Sequence, residues 1–492
     1  MSKDREIWLR LSEMKASGID LSEESRRKLE ELSRRYSKGS KNDESHSVKV
    51  QKLIVWLNKH SVTNTHARED WRKKCRDDFD ATADALCELA DKDNWRLMFW
   101  HEAFQSWPEE EVIHKSWGKM AVLLAGIPDD KLPDIAEEIS RWLWLMAKSF
   151  EKDETHFFSL VKRILAIEHK ILIHSEDPVF CAINHPVGDV TEALFRWWYR
   201  WPPKEGQKLP SELEPVFTKL CDLQIQQYRH GRVILANYAD ALFTVDKEWT
   251  DLYLLPLFDW DRFPDEAASI WRGFLLNPYV YPPLMEAIKH NVLDTVNHYQ
   301  ALGTHGRQYA DFITVTALNP DGNFLNSELA EATRLLPPDG LQKVTQTLVR
   351  TLRDAGDQRA DYWLNRIAPY LKAIWPENPG NLTPDEHADI SEGLGRLCVA
   401  AHENFPEALN LLRDWLVPIT ADVPSDQIYE LHKSELCGIK PAETLDFLAL
   451  IIDAKVPQIS KGHLKDCLEM IVRVQPQFED DSRYKRLIKL TS

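Results

Sequence analysis

The most unusual chemistry in this chain lies in Phe195-Arg196-Trp197-Trp198-Tyr199-Arg200-Trp201, where guanidinium groups alternate with aromatic rings. Ring faces and guanidinium planes both stack on single-stranded bases. The same residue types anchor protein interfaces. Packing is the competing role, with Phe195 and Trp198 turned to the core and the others covering a groove between helices. The acidic balance of the chain weighs against nucleic acid, because an acidic body repels phosphates. Arg196, Trp197, Tyr199, Arg200 and Trp201 therefore stand as the candidates for a protein interface.

A second chemistry needs an arginine and a histidine brought to one phosphodiester. Arg163 and His169, and likewise Arg396 and His402, have the spacing that resembles the Arg-x4-6-His element of helical HEPN ribonucleases. Both pairs place an apolar residue, Ile164 or Leu397, directly after the arginine, where that family favours a polar one. With 17 histidines in the chain such spacings also arise by chance. A helical ribonuclease is the alternative function they support. Asp129 or Asp130 with Glu168-His169-Lys170 imitates a metal-nuclease signature, but that chemistry presents its carboxylates from strands, and these residues follow a helical pattern. His101-Glu102 and His402-Glu403 lack the second histidine of a zinc-protease helix. The chain has no GxGxxG, no GxSxG and no Walker-type phosphate loop. Gly303-Thr304-His305-Gly306-Arg307 reads as a helix–helix turn using glycine where φ is positive. No cofactor and no metal are expected.

Composition narrows the class further. Among 492 residues there are 18 Trp but only 18 Gly, about half the usual share of glycine. Nucleotide-binding turns depend on glycine at set positions, so a nucleotide-binding α/β enzyme is disfavoured. The formal net charge is −17, yet residues 1–80 carry 19 basic and 15 acidic side chains, which leaves −21 on the remainder. The basic runs Arg26-Arg27-Lys28 and Arg72-Lys73-Lys74 are mixed with acids and read as solvated helix faces. Seven scattered cysteines without a CxxC pair indicate reduced thiols. No stretch approaches the roughly 20 apolar residues of a membrane span, and the charged N-terminus lacks a secretory h-region. A cytoplasmic protein without a membrane partner is expected.

The elements that must position these residues are helical almost throughout. Asp20-Leu21-Ser22-Glu23 has capping-box spacing and opens a helix to about Ser37, followed by the polar linker SKGSKNDESH at 37–46. Leu341, Val344, Leu348 and Leu352 line one helix face, as do Ile164, Ile167 and Ile171. Proline followed by acids at Pro108, Pro264, Pro384 and Pro406, with Pro441 a near match, marks helix N-termini: proline there loses no hydrogen bond, and the acids suit the positive end of the dipole. Phe312-Ile313-Thr314-Val315-Thr316 has strand propensity inside a helical context. The expected fold is all-α, an array of antiparallel helix pairs forming a degenerate α-solenoid. It lacks a clean period, since the proline–acid starts lie 156, 120, 22 and 35 residues apart. The expected division is N-terminal helices and linker at 1–46, a helical domain at 47–205 and a C-terminal repeat domain at 206–492, with a boundary near WPPKEGQKLP (201–210). Tryptophans at 142, 144, 271, 363, 375 and 415 are expected to pack between helices.

Residues Pro256-Leu257-Phe258-Asp259-Trp260, Trp271-Arg272-Gly273-Phe274-Leu275, Tyr281-Pro282-Pro283-Leu284 and His305-Gly306-Arg307-Gln308-Tyr309 carry a resemblance. Trp363, Arg366, Trp375-Pro376 and Phe405-Pro406-Glu407-Ala408 continue it, and Gly18 to Glu24 looks like a stretch preceding the same domain. The segment from about Pro256 to Trp415 resembles an uncharacterised helical domain found C-terminal to sirtuin-like domains in bacterial antiviral defence proteins. The resemblance implies that a sirtuin-like part hydrolyses NAD while the helical part senses or scaffolds. This chain departs from the pattern in having no glycine-rich NAD-binding loop and no sirtuin Asn/His motif. The NAD-consuming activity would then reside in another chain or in a part preceding the basic first 46 residues. The expected function is a non-enzymatic scaffold or sensor in an antiphage system, its protein partner a sirtuin-like NAD-consuming effector or a phage protein.

Overall fold

The computed structural model describes residues 46–107 except 62, 110–150, 154–169, 176–319, 323–419, 424–453 and 461–491, together with Ser22, Ser25 and Lys28. Asp20, Leu21 and Glu23 of the N-terminal capping box, most of the helix to Ser37, the linker before His46, Pro108, Glu109, Lys170 and Ile171 lie outside the described residues. What is described is all-α, with no strand. Phe312 to Thr316 sits inside helix Gly306–Leu318, so helical context overrides strand propensity there.

The proline–acid starts within the described residues open helices. Pro264, Pro384 and Pro441 are first residues of Pro264–Phe274, Pro384–Ala400 and Pro441–Ile451, and Pro406 is the second residue of Phe405–Leu412. At Thr383 a reciprocal cap forms: the Glu386 N–H donates to Thr383 Oγ1 at 3.3 Å, and the Thr383 N–H donates to Glu386 Oε2 at 2.8 Å. In helix Pro338–Asp354 the residues Leu341, Val344, Leu348 and Leu352 are all buried. The Ile164–Ile167–Ile171 face is corrected: helix Thr155–Ala166 ends before Ile167, whose backbone is extended (φ −84°, ψ 153°).

The chain forms two compact units, one of Met1–His174 with Ile183–Pro202, the other of Ser175–Ala182 with Pro203–Ser492. In the first unit helices pack on the next but one in sequence. Thr65–Asp77 lies on Leu97–Ser106, Phe79–Ala90 on Glu110–Ala125, Leu97–Ser106 on Ala136–Met146 and Glu110–Ala125 on Thr155–Ala166. Ala136–Met146 then receives Pro186–Trp198. In the second unit one series runs Gly306–Leu318, Pro338–Asp354, Pro384–Ala400, Pro424–Lys433, Lys461–Val474, each on the next. A second series runs Lys289–Asp294, Asn326–Arg334, Ala368–Ala373, Phe405–Leu412, Pro441–Ile451, Ser482–Ile488. Two parallel series of alternating helices are what stacked helix pairs produce.

The tie between successive pairs is made repeatedly by tryptophan. Indole N–H groups donate from Trp71 to the Phe99 carbonyl (2.9 Å), Trp142 to Ser116 Oγ (2.8 Å), Trp260 to Thr295 Oγ1 (2.9 Å), Trp363 to Glu407 Oε2 (2.9 Å) and Trp415 to the Pro376 carbonyl (3.0 Å). These partners lie between 26 and 44 residues apart in sequence, close to the length of a two-helix repeat. Trp71, Trp271 and Trp363 are wholly buried. Each such side chain removes about 150–250 Å² from water, contributing about 4–6 kcal/mol before the entropy of ordering is subtracted. In these five ties the indole N–H also finds an acceptor on a neighbouring element, which adds direction to the packing. The buried N–H groups of Trp100, Trp107 and Trp375 find none. All seven cysteines are free thiols.

Candidate protein-interaction site

Helix Pro186–Trp198 positions the aromatic–arginine segment. Its N-terminus is capped by His185, whose Nδ1 accepts the Val187 N–H at 3.1 Å. Val187, Val190, Leu194, Phe195 and Trp198 recur at helical spacing and are buried. The helix ends at Tyr199, whose N–H donates to the Phe195 carbonyl at 2.8 Å, and a further turn brings the Trp201 N–H to the Trp198 carbonyl at 3.1 Å.

The segment divides into an inner and an outer part. Trp197 is 6 % exposed, and its indole N–H donates to Glu154 Oε2 at 2.7 Å. The Arg196 guanidinium lies 3.5 Å from the centre of the Trp144 ring. Arg200 donates through Nη2 to Glu154 Oε1 at 2.6 Å and through Nη1 to the Phe150 carbonyl. Its Nε–H meets the Trp197 carbonyl at 2.9 Å, where a cation suits the negative end of the helix. The outer part is Tyr199, 39 % exposed, and Trp201, 55 % exposed. The Arg200 guanidinium sits 4.2 Å from the Trp201 ring centre, and Trp197 meets the same ring edge-on at 5.5 Å. Trp201 is thus a large exposed ring held in place from beneath. Glu154, Phe150 and Trp144, which hold the segment, escaped sequence reasoning because they lie 43 to 52 residues away with no local motif to flag them.

The ribonuclease pairs are not carried on continuous helices. Arg163 is in the last turn of Thr155–Ala166, while His169 lies beyond the helix end. Arg163 donates to the Ala125 carbonyl at 2.7 Å, to the Ile127 carbonyl and to Asp129 Oδ1 at 2.6 Å. His169 Nε2 bonds the Ile164 carbonyl at 2.8 Å, and its ring stands edge-on to His185 at 5.0 Å. Burial lowers the His169 pKa below that of an ordinary histidine. Arg396 pairs with Glu392 at 2.9 Å within helix Pro384–Ala400, and His402 lies past its end with φ +50°. The carboxylate proposed for the metal signature, Asp129, is the partner of Arg163. Among the described residues no group of three or more His, Cys, Asp or Glu is placed to hold a metal ion. Glu102, beside His101, is 1 % exposed and ion-paired with Arg68 at 2.6 Å and with Arg72.

The resemblance residues Gly273 and Gly306 serve close packing. A Cβ on Gly273 would stand 2.4 Å from the Val233 carbonyl oxygen, and one on Gly306 would stand 2.7 Å from the Tyr299 ring. Gly303 has φ +56°, in the turn where a glycine is required. Among the described residues no helix is long and apolar enough to cross a membrane. No protein-family model, no curated protein and no solved structure matches the chain.

Proposed function

We propose that this chain is a cytoplasmic helical scaffold or sensor that binds protein, with the effector activity of its system carried by another polypeptide. The observation that carries the reading is the preordered Trp201 ring, exposed yet braced by Arg200 and Trp197. A rigid aromatic beside a guanidinium is the residue chemistry that dominates interface energetics, because it buries much area at little entropic cost. Stacked helix pairs support the same reading, since such arrays present extended surfaces for partners. The assignment to antiphage defence, with a sirtuin-like NAD-consuming protein as partner, rests on the resemblance of Pro256 to Trp415. It is tested by co-expressing the chain with the sirtuin-like protein of its own genome. Coelution of the two on size exclusion is the expected result. Separate elution, with both proteins folded, contradicts the assignment.

A further inference from the structure

The first unit contains a cavity of about 320 Å³ whose lining includes none of Arg196, Trp197, Tyr199, Arg200 and Trp201. Phe104, Trp107 and Trp142 form its apolar walls, and Glu137, Glu138 and Arg141 supply charge. The size is at the lower end of small-molecule sites, and the lining is of the kind such sites use: ring faces with a few polar groups.

The polar groups differ in what already engages them. The Trp142 N–H is taken by Ser116 Oγ at 2.8 Å, and the Glu138 carboxylate by His101 Nδ1. Trp107 is 4 % exposed, and its indole N–H is buried with no hydrogen-bond partner. That N–H is closed to solvent, so Trp107 offers the cavity its ring and not its donor. Glu137 and Arg141 are exposed, stand one helical turn apart on Ala136–Met146, and are engaged by no ion pair among the described residues. Spacing of i, i+4 places the two side chains on one face.

The ligand is constrained by these groups together. A purely cationic molecule would meet Arg141, and a purely anionic one would meet Glu137 and Glu138. A molecule carrying both charges on one carbon satisfies both: its ammonium faces Glu137, and its carboxylate accepts from Arg141. The rest of the molecule must then be apolar to lie against Phe104, Trp107 and Trp142. We propose that this cavity binds a free amino acid with a large apolar or aromatic side chain. The site is separate from Trp201 and does not depend on the scaffold reading.

The test is calorimetric titration of the full chain with L-tryptophan, L-phenylalanine and L-leucine, alongside N-acetyl-L-tryptophanamide, which lacks both charges. Saturable one-to-one binding of at least one free amino acid is expected, with the blocked amide at least about tenfold weaker. Arg141→Ala and Glu137→Gln, both at exposed positions, should each weaken binding about tenfold while leaving the thermal melt unchanged. Absence of saturable binding by all three amino acids overturns the proposal, as does equal binding of the blocked amide or unchanged affinity in Arg141→Ala.

Discussion

Arg232 and Glu266 form a two-bond ion pair in the second unit, with side chains 1 % and 7 % exposed. Arg232 Nε–H donates to Glu266 Oε1 at 2.7 Å and Nη2–H to Oε2 at 3.2 Å, while Nη1 serves the Leu220 and Asp222 carbonyls at 3.0 and 2.9 Å. Arg229 adds a second cation to the same carboxylate at 3.0 Å. Every polar atom of the pair is occupied, and helices Tyr228–Asn237 and Pro264–Phe274 are locked in register. Glu266→Leu strands the buried Arg232 charge and should cost about 3–5 kcal/mol, whereas Arg232→Met leaves Glu266 paired with Arg229 and should cost less. The double variant should recover most of that loss. Urea unfolding of the three variants checks the coupling, and additive losses would show that the pair does not act as a unit.

The same two helices meet at Gly273, where a Cβ would collide with the Val233 carbonyl. Gly273→Ala forces a rigid backbone to move and should lower stability by about 1–3 kcal/mol. Gly118, exposed in helix Glu110–Ala125, has no atom within 4 Å of an added Cβ. Gly118→Ala should instead raise stability by about 0.5–1 kcal/mol through helix propensity. Thermal melts of the two variants should therefore move in opposite directions.

Asp189 supplies a pH dependence. Burial pushes its carboxyl up to about 6, against the Ser140 hydroxyl that donates to Oδ2 at 2.9 Å. The folded-state value lies above the ordinary value near 4, so folding favours the protonated acid. That contribution is fully present below about pH 4 and is lost as pH rises through 6. Asp189→Asn cannot ionise, so between pH 4 and pH 7.5 it should gain up to about 3 kcal/mol on the parent protein. Denaturation at the two pH values measures the difference, and an equal gap at both would place the group near its ordinary value.

The ribonuclease alternative predicts that one of two histidines is indispensable. His169 and His402 both lie beyond helix ends, and Arg163 is engaged by two carbonyls and Asp129. If the proposed antiphage role holds, His169→Ala and His402→Ala should leave phage protection unchanged. Loss of protection together with loss of RNA cleavage, in a folded variant, would favour the enzyme.

Much of the fold was legible locally. Leu341, Val344, Leu348 and Leu352 reveal a face because an amphipathic helix repeats every 3.6 residues, and Pro264 or Pro384 marks a start because proline tolerates only that end. The repeat was not legible, since the tie between pairs is one N–H and one acceptor whose identity changes. Trp260 finds a threonine, Trp363 a glutamate and Trp415 a carbonyl, at unequal separations. For the same reason sequence could single out Trp197 to Trp201 but not sort them. Trp197 is buried by Glu154 and Phe158, and Trp201 is left exposed, through contacts set by residues about 40 positions away. The cavity lined by Trp107 and Arg141 draws on separate helices and leaves no local pattern at all.

Trp201 as the anchor of a protein interface is tested most directly by the affinity of the folded chain for the sirtuin-like protein proposed as its partner. Trp201→Ala should weaken that affinity by about 30-fold or more, the loss of a hot-spot residue of about 2 kcal/mol. Its thermal melt should match the parent, because the ring is 55 % exposed. Equal affinity in Trp201→Ala and the parent would contradict the account.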